Sequence, residues 1–387
     1  MKQILFIIIL AQFFCTSVWF AGNAVMTEMA IAKDLDELYL VYLISAVQFG
    51  FIIGTLVFAS LSIADRYSPS LVFLFSALFA ALFNGLITFN WITGNSILIC
   101  RFLTGFFLAG IYPVGMKIAA DYFENGLGKS LGFLVGALVL GTAFPHLING
   151  LSIKKSWKFV LYTTSVLSIL GGLILYFGVK DGPYRKKLGV IQFAAVGNVF
   201  RIRALRKSAF GYFGHMWELY TFWTFVPLLL SQKLNSPQYN YSFLTFIIIG
   251  SGALACFFSG LLSMRFSVHK IALVAVSVSC ACCLLFPLFF CYASNDLYIS
   301  FLVFWGLFVV ADSPMFSSLV AANAPADLRG STLTMVNSIG FLITILSIQM
   351  MGQLLNYLPF YLVWTILAVG PVFALLQLVN RSNKLKL

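Results

Sequence analysis

The sequence predicts an all-helical integral membrane protein with twelve transmembrane helices. Hydrophobic residues make up 61% of the 387 residues and charged residues only 9%, whereas a soluble domain carries about 25% charged residues. Apolar runs of about 20 residues, the length that spans a bilayer, recur along the whole chain. This composition excludes a water-soluble globular protein, a secreted disulfide scaffold and a nucleic-acid-binding protein.

Charged residues, prolines, glycines and asparagines divide the apolar sequence into six predicted spans, a polar gap and six more spans. The first run lacks the basic lead and the cleavage site of a removed signal, so we expect it to be retained. The gap predicts a cytoplasmic linker at 181–208 between helical bundles at 1–180 and 209–387, and its apolar patch from Leu188 to Val199 predicts a helix on the membrane surface. The predicted spans are 4–26, 39–62, 71–90, 96–118, 130–151, 158–178, 209–231, 241–264, 271–293, 299–321, 331–354 and 359–380.

Cations predict the orientation of these spans. With the N-terminus in the cytoplasm, 17 Lys and Arg residues fall on the cytoplasmic side and 5 on the outer side, which agrees with the positive-inside rule. Both termini are then expected in the cytoplasm, and the protein is expected in the inner (plasma) membrane. The five outer cations are Lys33, Lys154, Lys155, Lys158 and Lys233.

Three short segments recur about 200 residues apart, which predicts a six-helix unit used twice in the same orientation. Two such units are related by a pseudo-twofold axis along the membrane normal, and they place a solute site between them near mid-membrane. The recurring pairs are 61–66 with 260–265, 110–113 with 311–314, and 128–130 with 329–331.

The loop after the second span resembles a motif of the major facilitator superfamily, G-x-L-x-D-R-x-G-R-K. Asp65 and Arg66 match its D-R pair, while the leading glycine and the later basic residues are missing. The corresponding loop of the second half keeps Arg265 and has Met264 in place of the acid. The resemblance implies a cytoplasmic gate at Asp65, Arg66 and Arg265, in which the acid meets a helix N-terminus or an arginine of the other half. A simple loop charge pair is the alternative.

Further motifs extend the resemblance along the chain. In the fourth span Arg101 precedes spaced glycines, and in the fifth span Gly132 and Gly141 fit an antiporter motif in which Pro145 takes the place of the third glycine. Segments 101–117 and 311–341 look like a bacterial subgroup described as cyanate- or nitrate-permease-like. The resemblance implies a secondary transporter of two six-helix bundles, without supplying a solute.

Few ionisable residues lie inside the predicted spans, where a charge costs roughly 2.5–3.5 kcal/mol on insertion scales. His215 and Glu218, three residues apart, share one helix face and predict a proton-binding pair; an interhelical hydrogen bond is the alternative. Asp312 precedes Ser313-Pro314, so it predicts either a cavity acid at a helix kink or a cap of the broken helix.

The candidate solute-binding residues combine one cation with aromatic and amide side chains. Arg101 could hold an anion through its guanidinium or pair with an acid on another helix. The aromatic residues could instead serve packing, and the amide of Asn337 could bond helices together. Lys117 is expected to snorkel to the interface, and His146 to be structural. The candidates are Arg101, Tyr112, Trp19, Asn23, Trp217, Tyr220 and Asn337.

These observations favour a proton-coupled secondary transporter that moves a small polar or anionic solute by alternating access. The alternatives are a multidrug or siderophore exporter on the same fold, a uniporter and, more remotely, an intramembrane enzyme. The seven cysteines lie in apolar runs and are expected to be buried. No cofactor, metal or nucleic acid is expected; the expected partners are the bilayer, the solute and protons, and the protein is expected to be a monomer.

Overall fold

The computed structural model describes residues 2–36, 39–122, 127–151, 156–185, 200–325 and 328–379, and these residues form helices and no strands. Ten helical segments within the described residues are long and apolar enough to cross a membrane, and three of them, at 95–122, 295–323 and 360–379, each join two or more of the helices given below. The predicted surface helix at Leu188 to Val199 lies outside the described residues.

The first half of the chain, residues 2–185, contains ten helices. They are α1 Lys2–Thr16, α2 Ala21–Ala24, α3 Met26–Lys33, α4 Tyr39–Ser60, α5 Ile63–Arg66, α6 Pro69–Leu86, α7 Asn95–Leu108, α8 Tyr112–Tyr122, α9 Leu127–Leu151 and α10 Lys158–Gly178.

The second half, residues 200–379, contains eight further α-helices and a 3₁₀ helix at Trp364–Ala368. They are α11 Arg203–Leu234, α12 Tyr241–Leu262, α13 Val268–Tyr292, α14 Asn295–Ala311, α15 Ser313–Asn323, α16 Arg329–Leu354, α17 Phe360–Val363 and α18 Val369–Val379.

Polar residues between the apolar runs fix where several helices begin. Asn240 accepts a hydrogen bond from the backbone N–H of Phe243 at 3.0 Å, and Ser267 accepts one from Lys270 at 3.2 Å. Each side chain thereby satisfies one of the backbone donors that a helix N-terminus leaves free. The starts of these helices therefore coincide with polar residues of the kind used to predict the boundaries of the spans.

One sequence prediction about helix continuity is wrong. The first predicted span is not one helix, because α1 ends at Thr16 and residues 17–20 are not helical. Within the predicted linker at 181–208, the helix α11 begins at Arg203. The break in the first span has a physical cause, which the surroundings of Arg101 show below.

Close helix packing repeats at an offset of 201 residues. A Cβ atom on Gly105 would lie 1.9 Å from the carbonyl oxygen of Val47, and one on Gly306 would lie 2.1 Å from that of Ile248. Both glycine–carbonyl pairs are 201 residues apart in the sequence. The broken helices follow the same offset, since α8 begins at 112 and α15 at 313. The packing thus supports the internal repeat that the sequence predicts.

We expect Gly105→Ala to destabilise the protein, because its methyl group would overlap the backbone of α4. Overpacking of this kind costs about 1–3 kcal/mol. Gly330→Ala is the matched control, because no described atom lies within 4 Å of the position of its Cβ. Thermal unfolding of the detergent-purified variants measures the effect, and equal midpoints for the two variants would contradict the packing described for α4 and α7.

The two halves pack together along α9 and α12, where a Cβ atom on Gly132 would lie 2.9 Å from the carbonyl oxygen of Cys256 and one on Gly150 would lie 2.9 Å from the backbone nitrogen of Phe243. We call the face that carries α5 and residues 178–185 the linker face, and the opposite one the far face. On the far face, α4 of the first half contacts α16 of the second half: the amide of Gln349 donates to Ser45 at 2.9 Å, and the rings of Phe51 and Phe341 lie 4.7 Å apart. These contacts close the far half of the interface.

Candidate solute and proton site

A small cavity lies between the two halves, beside the points where α8 and α15 begin. Its volume is about 20 Å³, enough for about one water molecule. The lining combines aromatic, hydroxyl and amide groups with aliphatic side chains, and it comes from both halves. The lining residues are Tyr112, Val135, Leu138, Val139, Tyr212, Met216, Leu219, Tyr220, Trp223, Val310, Ser313, Ser317, Asn337 and Phe341.

Aromatic side chains close the cavity on its far side. The rings of Trp19 and Phe341 stack with their centroids 5.6 Å apart, and Tyr220 lies 5.9 Å from Trp19 and 5.2 Å from Phe341. Phe20 adds an edge contact to Trp223 at 6.3 Å. Trp19 therefore belongs to the wall behind the cavity lining.

His215 and Asp312 form a buried acid–base pair next to the cavity. The Nδ1 atom of His215 on α11 lies 2.9 Å from Oδ1 of Asp312, and both side chains are at most 4% exposed. Asp312 occupies the break between α14 and α15, and its side chain makes no capping hydrogen bond to α15. The alternative that Asp312 merely caps the broken helix is therefore wrong.

Glu218 makes a separate network within the second half. Its Oε1 atom accepts hydrogen bonds from Ser279 at 2.5 Å, from Trp305 at 2.7 Å and from the thiol of Cys283 at 3.2 Å. The interpretation of His215 and Glu218 as one pair is wrong, because each side chain has its own partners. A spacing of three residues leaves the two side chains about 60° apart around the helix, which is enough to direct them to different neighbours.

Arg101 stabilises the break in the first span. Its guanidinium donates to the carbonyl oxygens of Val18, at 3.0 Å, and of Trp19, and to Oδ1 of Asn84 at 3.2 Å. Because residues 17–20 are not helical, these carbonyls need donors from elsewhere. Arg101 is completely buried and does not line the cavity. Of the two alternatives for Arg101, an ion pair with an acid on another helix is not formed within the described residues, where backbone carbonyls and Asn84 accept its hydrogen bonds.

The comparisons with known proteins agree with this architecture. The sequence model of the Major Facilitator Superfamily matches residues 8–348. The chain belongs to this superfamily. The fold is also similar to the crystal structure of a Major Facilitator Superfamily transporter, FucP, in the outward conformation, with a TM-score of 0.69 and 15% sequence identity over 97% of this chain and 98% of that chain. No curated protein matches the sequence.

Membership of the Major Facilitator Superfamily points to transport rather than catalysis. Within the described residues, no group of three or more His, Cys, Asp or Glu side chains is arranged to hold a metal ion. Cys291 departs from the expected burial of the cysteines, since it is exposed while the other six are buried.

In this superfamily member, the charges predicted to form a gate lie on the linker face. The Nζ atom of Lys117 lies 3.0 Å from Asp65 and 3.5 Å from Asp121, so Lys117 pairs with acids of its own half instead of snorkelling alone. Arg66 and Arg265 are exposed. Asp65 makes no ion pair with the second half within the described part of the chain, so the expected contact across the halves is not formed in this conformation.

The start of the linker is held against the same loop. Arg185 donates to the carbonyl oxygens of Asp65 at 3.2 Å and Tyr67 at 2.8 Å, and it pairs with Asp181. Ser68 also donates to Asp181 at 2.9 Å. The loop after α4, the end of α8 and the first linker residues therefore form one unit on the linker face.

The remaining predicted residues divide between the cavity and other sites. Tyr112, Tyr220 and Asn337 line the cavity. Trp217 instead faces α18, where a Cβ on Gly370 would lie 2.7 Å from its ring, and Asn23 is buried outside the lining. His146, expected to be structural, is buried and also lies outside the lining.

Sequence reasoning missed several lining residues of α11. Tyr212, Met216 and Leu219 share one face with Tyr220 and Trp223, at helical spacings of three to four residues. The helical spacing of these residues can be recognised in the sequence, but an apolar stripe of the same period is equally typical of a packed core. Only the position of α11 beside the interface identifies this stripe as cavity lining.

Proposed function

We propose that this superfamily member is a proton-coupled secondary transporter that moves a small polar solute by alternating access. In this proposal twelve spans form two six-helix bundles, one in each half of the chain. Ten of these spans are the long apolar segments. The eleventh consists of α1 and α2, which the break at residues 17–20 separates, and the twelfth is α11.

The buried pair of His215 and Asp312 is the observation that carries proton coupling. The Nδ1 atom of His215 and the Oδ1 atom of Asp312 lie 2.9 Å apart, close enough to share a hydrogen-bonded proton. Asp312 also sits where the helix is interrupted, so movement of α15 against α11 would change the distance between the two groups. A proton bound in one arrangement would then be released in the other.

The cavity supports a polar solute over an anionic one. No Lys or Arg is among the residues that line it, and the buried Arg101 already donates to backbone carbonyls and Asn84. An anion in this cavity would lack a fixed positive charge to offset the loss of its hydration.

The difference between the contacts at the far face and those at the linker face supports alternating access. Contacts between α4 and α16 close the far face, whereas Asp65 of the linker face pairs within its own half. If the cation distribution gives the orientation, the linker face is cytoplasmic. Rocking of the halves would then close the linker face and separate α4 from α16.

A vesicle assay tests the coupling directly. Inside-out vesicles that contain the protein and a pH-sensitive dye receive small neutral and charged solutes one at a time. For a proton-coupled transporter, a transported solute shifts the internal pH, and vesicles without the protein show no shift. Transport of a solute without any pH shift would establish a uniporter and contradict the proposal.

The orientation can be tested with reporters fused after Leu387. We expect a fluorescent protein that folds only in the cytoplasm to be bright, and an alkaline phosphatase that is active only outside to be silent. This follows from twelve spans with a cytoplasmic N-terminus. The opposite pair of results from fusions expressed at equal levels would overturn the topology.

A further inference from the structure

We infer that the solute passes between the cavity and either face along the seam of α4 and α16, while α9 and α12 stay in contact and serve as the hinge. The seam consists of the facing sides of residues 41–55 and 338–352. This inference rests on the proposed transport function and assigns a route to it. Three buried polar side chains of the seam, Gln48, Thr55 and Ser338, line the route.

Three contacts define how α4 and α16 face each other. From the far face inwards, the contacting pairs are Val41 with Gly352, Ser45 with Gln349, and Phe51 with Phe341. Residue numbers rise along α4 as they fall along α16, so the two helices are antiparallel. Thr55 lies about one turn beyond Phe51, and Ser338 lies nearly one turn beyond Phe341 in the same direction. The same register therefore places Thr55 opposite Ser338.

The polar side chains of the seam are buried without protein partners. Gln48 is completely buried, and Thr55 and Ser338 are 5% and 7% exposed. Gln48 is three residues from both Ser45 and Phe51, so it shares their face of α4. Within the described residues, both amide atoms of Gln48 and the hydroxyls of Thr55 and Ser338 make no hydrogen bond. Buried polar groups are normally paired, so these groups indicate a surface that takes its partners from water or solute when the seam opens.

The seam adjoins the cavity directly. Asn337 and Phe341 of α16 line the cavity, and Ser338 follows Asn337 in the same helical turn. Beyond Thr55, the residues of α4 at 56–60 are all partly exposed. Thr55 and Ser338 therefore lie where the seam closes between the cavity and the linker face.

The contact between α9 and α12 is closed at both of its ends. Near the linker face, the rings of Phe133 and Phe257 lie 5.1 Å apart. At the far face, the amide of Asn240 donates to the carbonyl oxygen of Gly150 at 2.7 Å. Glycines along α9 let the two backbones approach closely, as small residues do where helices meet in membranes. This pair of helices therefore holds the two halves together along its whole length.

The polar groups of the hinge also differ from those of the seam. Within the described residues, no buried side-chain nitrogen or oxygen of α12 lacks a hydrogen-bond partner, and α9 has one such atom, Nε2 of His146. Asn149 of α9 donates to Ser242 of the other half at 3.1 Å. Separation of α9 from α12 would break such bonds and the close backbone packing. Opening of the seam on its linker side instead gives water to Thr55 and Ser338, so the halves pivot about α9 and α12.

Thiol labelling tests the route and the hinge without a solute or a gradient. The variants are Thr55→Cys, Ser338→Cys and, as the control on α12, Ala253→Cys. Ser338 and Ala253 each lie nine residues from the linker-face end of their helix, and both are buried, so their depths match. Ala253 also belongs to the hinge, because a Cβ atom on Gly136 of α9 would lie 3.3 Å from its carbonyl oxygen.

The reagent is a charged methanethiosulfonate that cannot cross membranes, and it is applied to the linker face of sealed vesicles. All variants carry Cys291→Ser, which leaves six native cysteines that are buried. In the unmodified protein, the exposed Cys291 at the far end of α13 shows which vesicles present the far face. We expect Thr55→Cys and Ser338→Cys to react about tenfold faster than Ala253→Cys, because a thiol reacts where water and reagent reach it.

Apolar replacements give a second measurement. Thr55→Val combined with Ser338→Ala removes both unpaired hydroxyls and with them the cost of burying polar groups without partners. We expect the closed seam to become more stable, so the thermal unfolding midpoint should rise and labelling of Asn337→Cys in the cavity from the linker face should slow several-fold. Thr142→Val is the control on α9, because its hydroxyl donates to the carbonyl oxygen of Leu138 at 2.7 Å. This variant should neither raise the midpoint nor slow the labelling.

The outcomes separate this inference from the proposed function. Labelling of Ala253→Cys as fast as that of the seam variants would overturn the hinge. No labelling of either seam variant, or a lower midpoint for Thr55→Val with Ser338→Ala, would show that the hydroxyls serve packing and would overturn the route. Any of these results would leave proton coupling standing, whereas fast labelling of the seam without a solute-driven pH shift in vesicles would support the route and contradict the coupling.

Discussion

Asp312→Asn is expected to abolish the accumulation of solute that a pH gradient drives, while exchange of solute for solute persists. Asparagine keeps the shape of the side chain but cannot release a proton, and it removes the charge that faces His215 at 2.9 Å. With one proton per solute, a pH step of one unit corresponds to about 1.4 kcal/mol and sustains a gradient of about tenfold. The variant in liposomes should therefore show no gradient where the native protein shows about tenfold.

The surroundings of Asp312 define the control for this experiment. Glu218, three residues after His215 on α11, is a second buried carboxyl group of this half, so it has to be tested as well. Glu218→Gln retains an oxygen that accepts from Ser279 and Trp305. We expect this variant to keep at least part of the pH-driven accumulation. If Asp312→Asn accumulates solute normally and Glu218→Gln does not, coupling belongs to Glu218.

Arg101→Met is expected to produce the largest loss of stability among single substitutions considered for this protein. The change leaves the carbonyl oxygens of Val18 and Trp19 without their donor in a non-helical segment, and it removes a donor from Asn84. Leaving buried polar groups unpaired costs about 1–3 kcal/mol for each group. Two or three such groups lower the free energy of unfolding by several kcal/mol, which thermal unfolding in detergent will show as a much lower midpoint.

Two further variants separate this structural role from a role in solute binding. Arg265→Met removes an exposed arginine and should leave the midpoint unchanged. Arg101→Lys retains the charge but reaches fewer carbonyls, so its midpoint should lie between those of Arg101→Met and the native protein. If Arg101→Met unfolds normally but loses binding of an anion, Arg101 belongs to an anion site and the structural interpretation fails.

The sequence was sufficient to predict the ten long apolar segments, because hydropathy and the polar residues between apolar runs are local properties of the sequence. Asp312 with Ser313-Pro314 predicted the interruption between α14 and α15, since proline removes a backbone donor and bends the helix. The signal at residues 17–20 is weaker, because they contain no proline and only Ser17 is polar. Their break depends on Arg101, more than 80 residues later in the chain, and a reading of local sequence cannot detect such a dependence.

The partners of the ionisable residues could not be predicted for a related reason. Spacing along one helix places His215 and Glu218 on one face, but the acceptors and donors that engage them belong to other helices: Asp312 for the first, and Ser279 and Trp305 for the second. Asp65 likewise finds Lys117 in its own half. The sequence identified the ionisable candidate groups, and tertiary packing decided which of them meet.

Arg101 also places a charge inside the electric field of the membrane. It lies six residues after the start of α7 at Asn95, about 9 Å along the helix axis at 1.5 Å per residue. Its partners are uncharged carbonyl and amide oxygens, and among the described residues no carboxylate pairs with it. A unit charge that crosses the full membrane potential changes in energy by about 2.3 kcal/mol per 100 mV. Any movement of the first half along the membrane normal would carry this charge through part of that potential, and the rate of its conformational cycle would then depend on voltage as well as on pH.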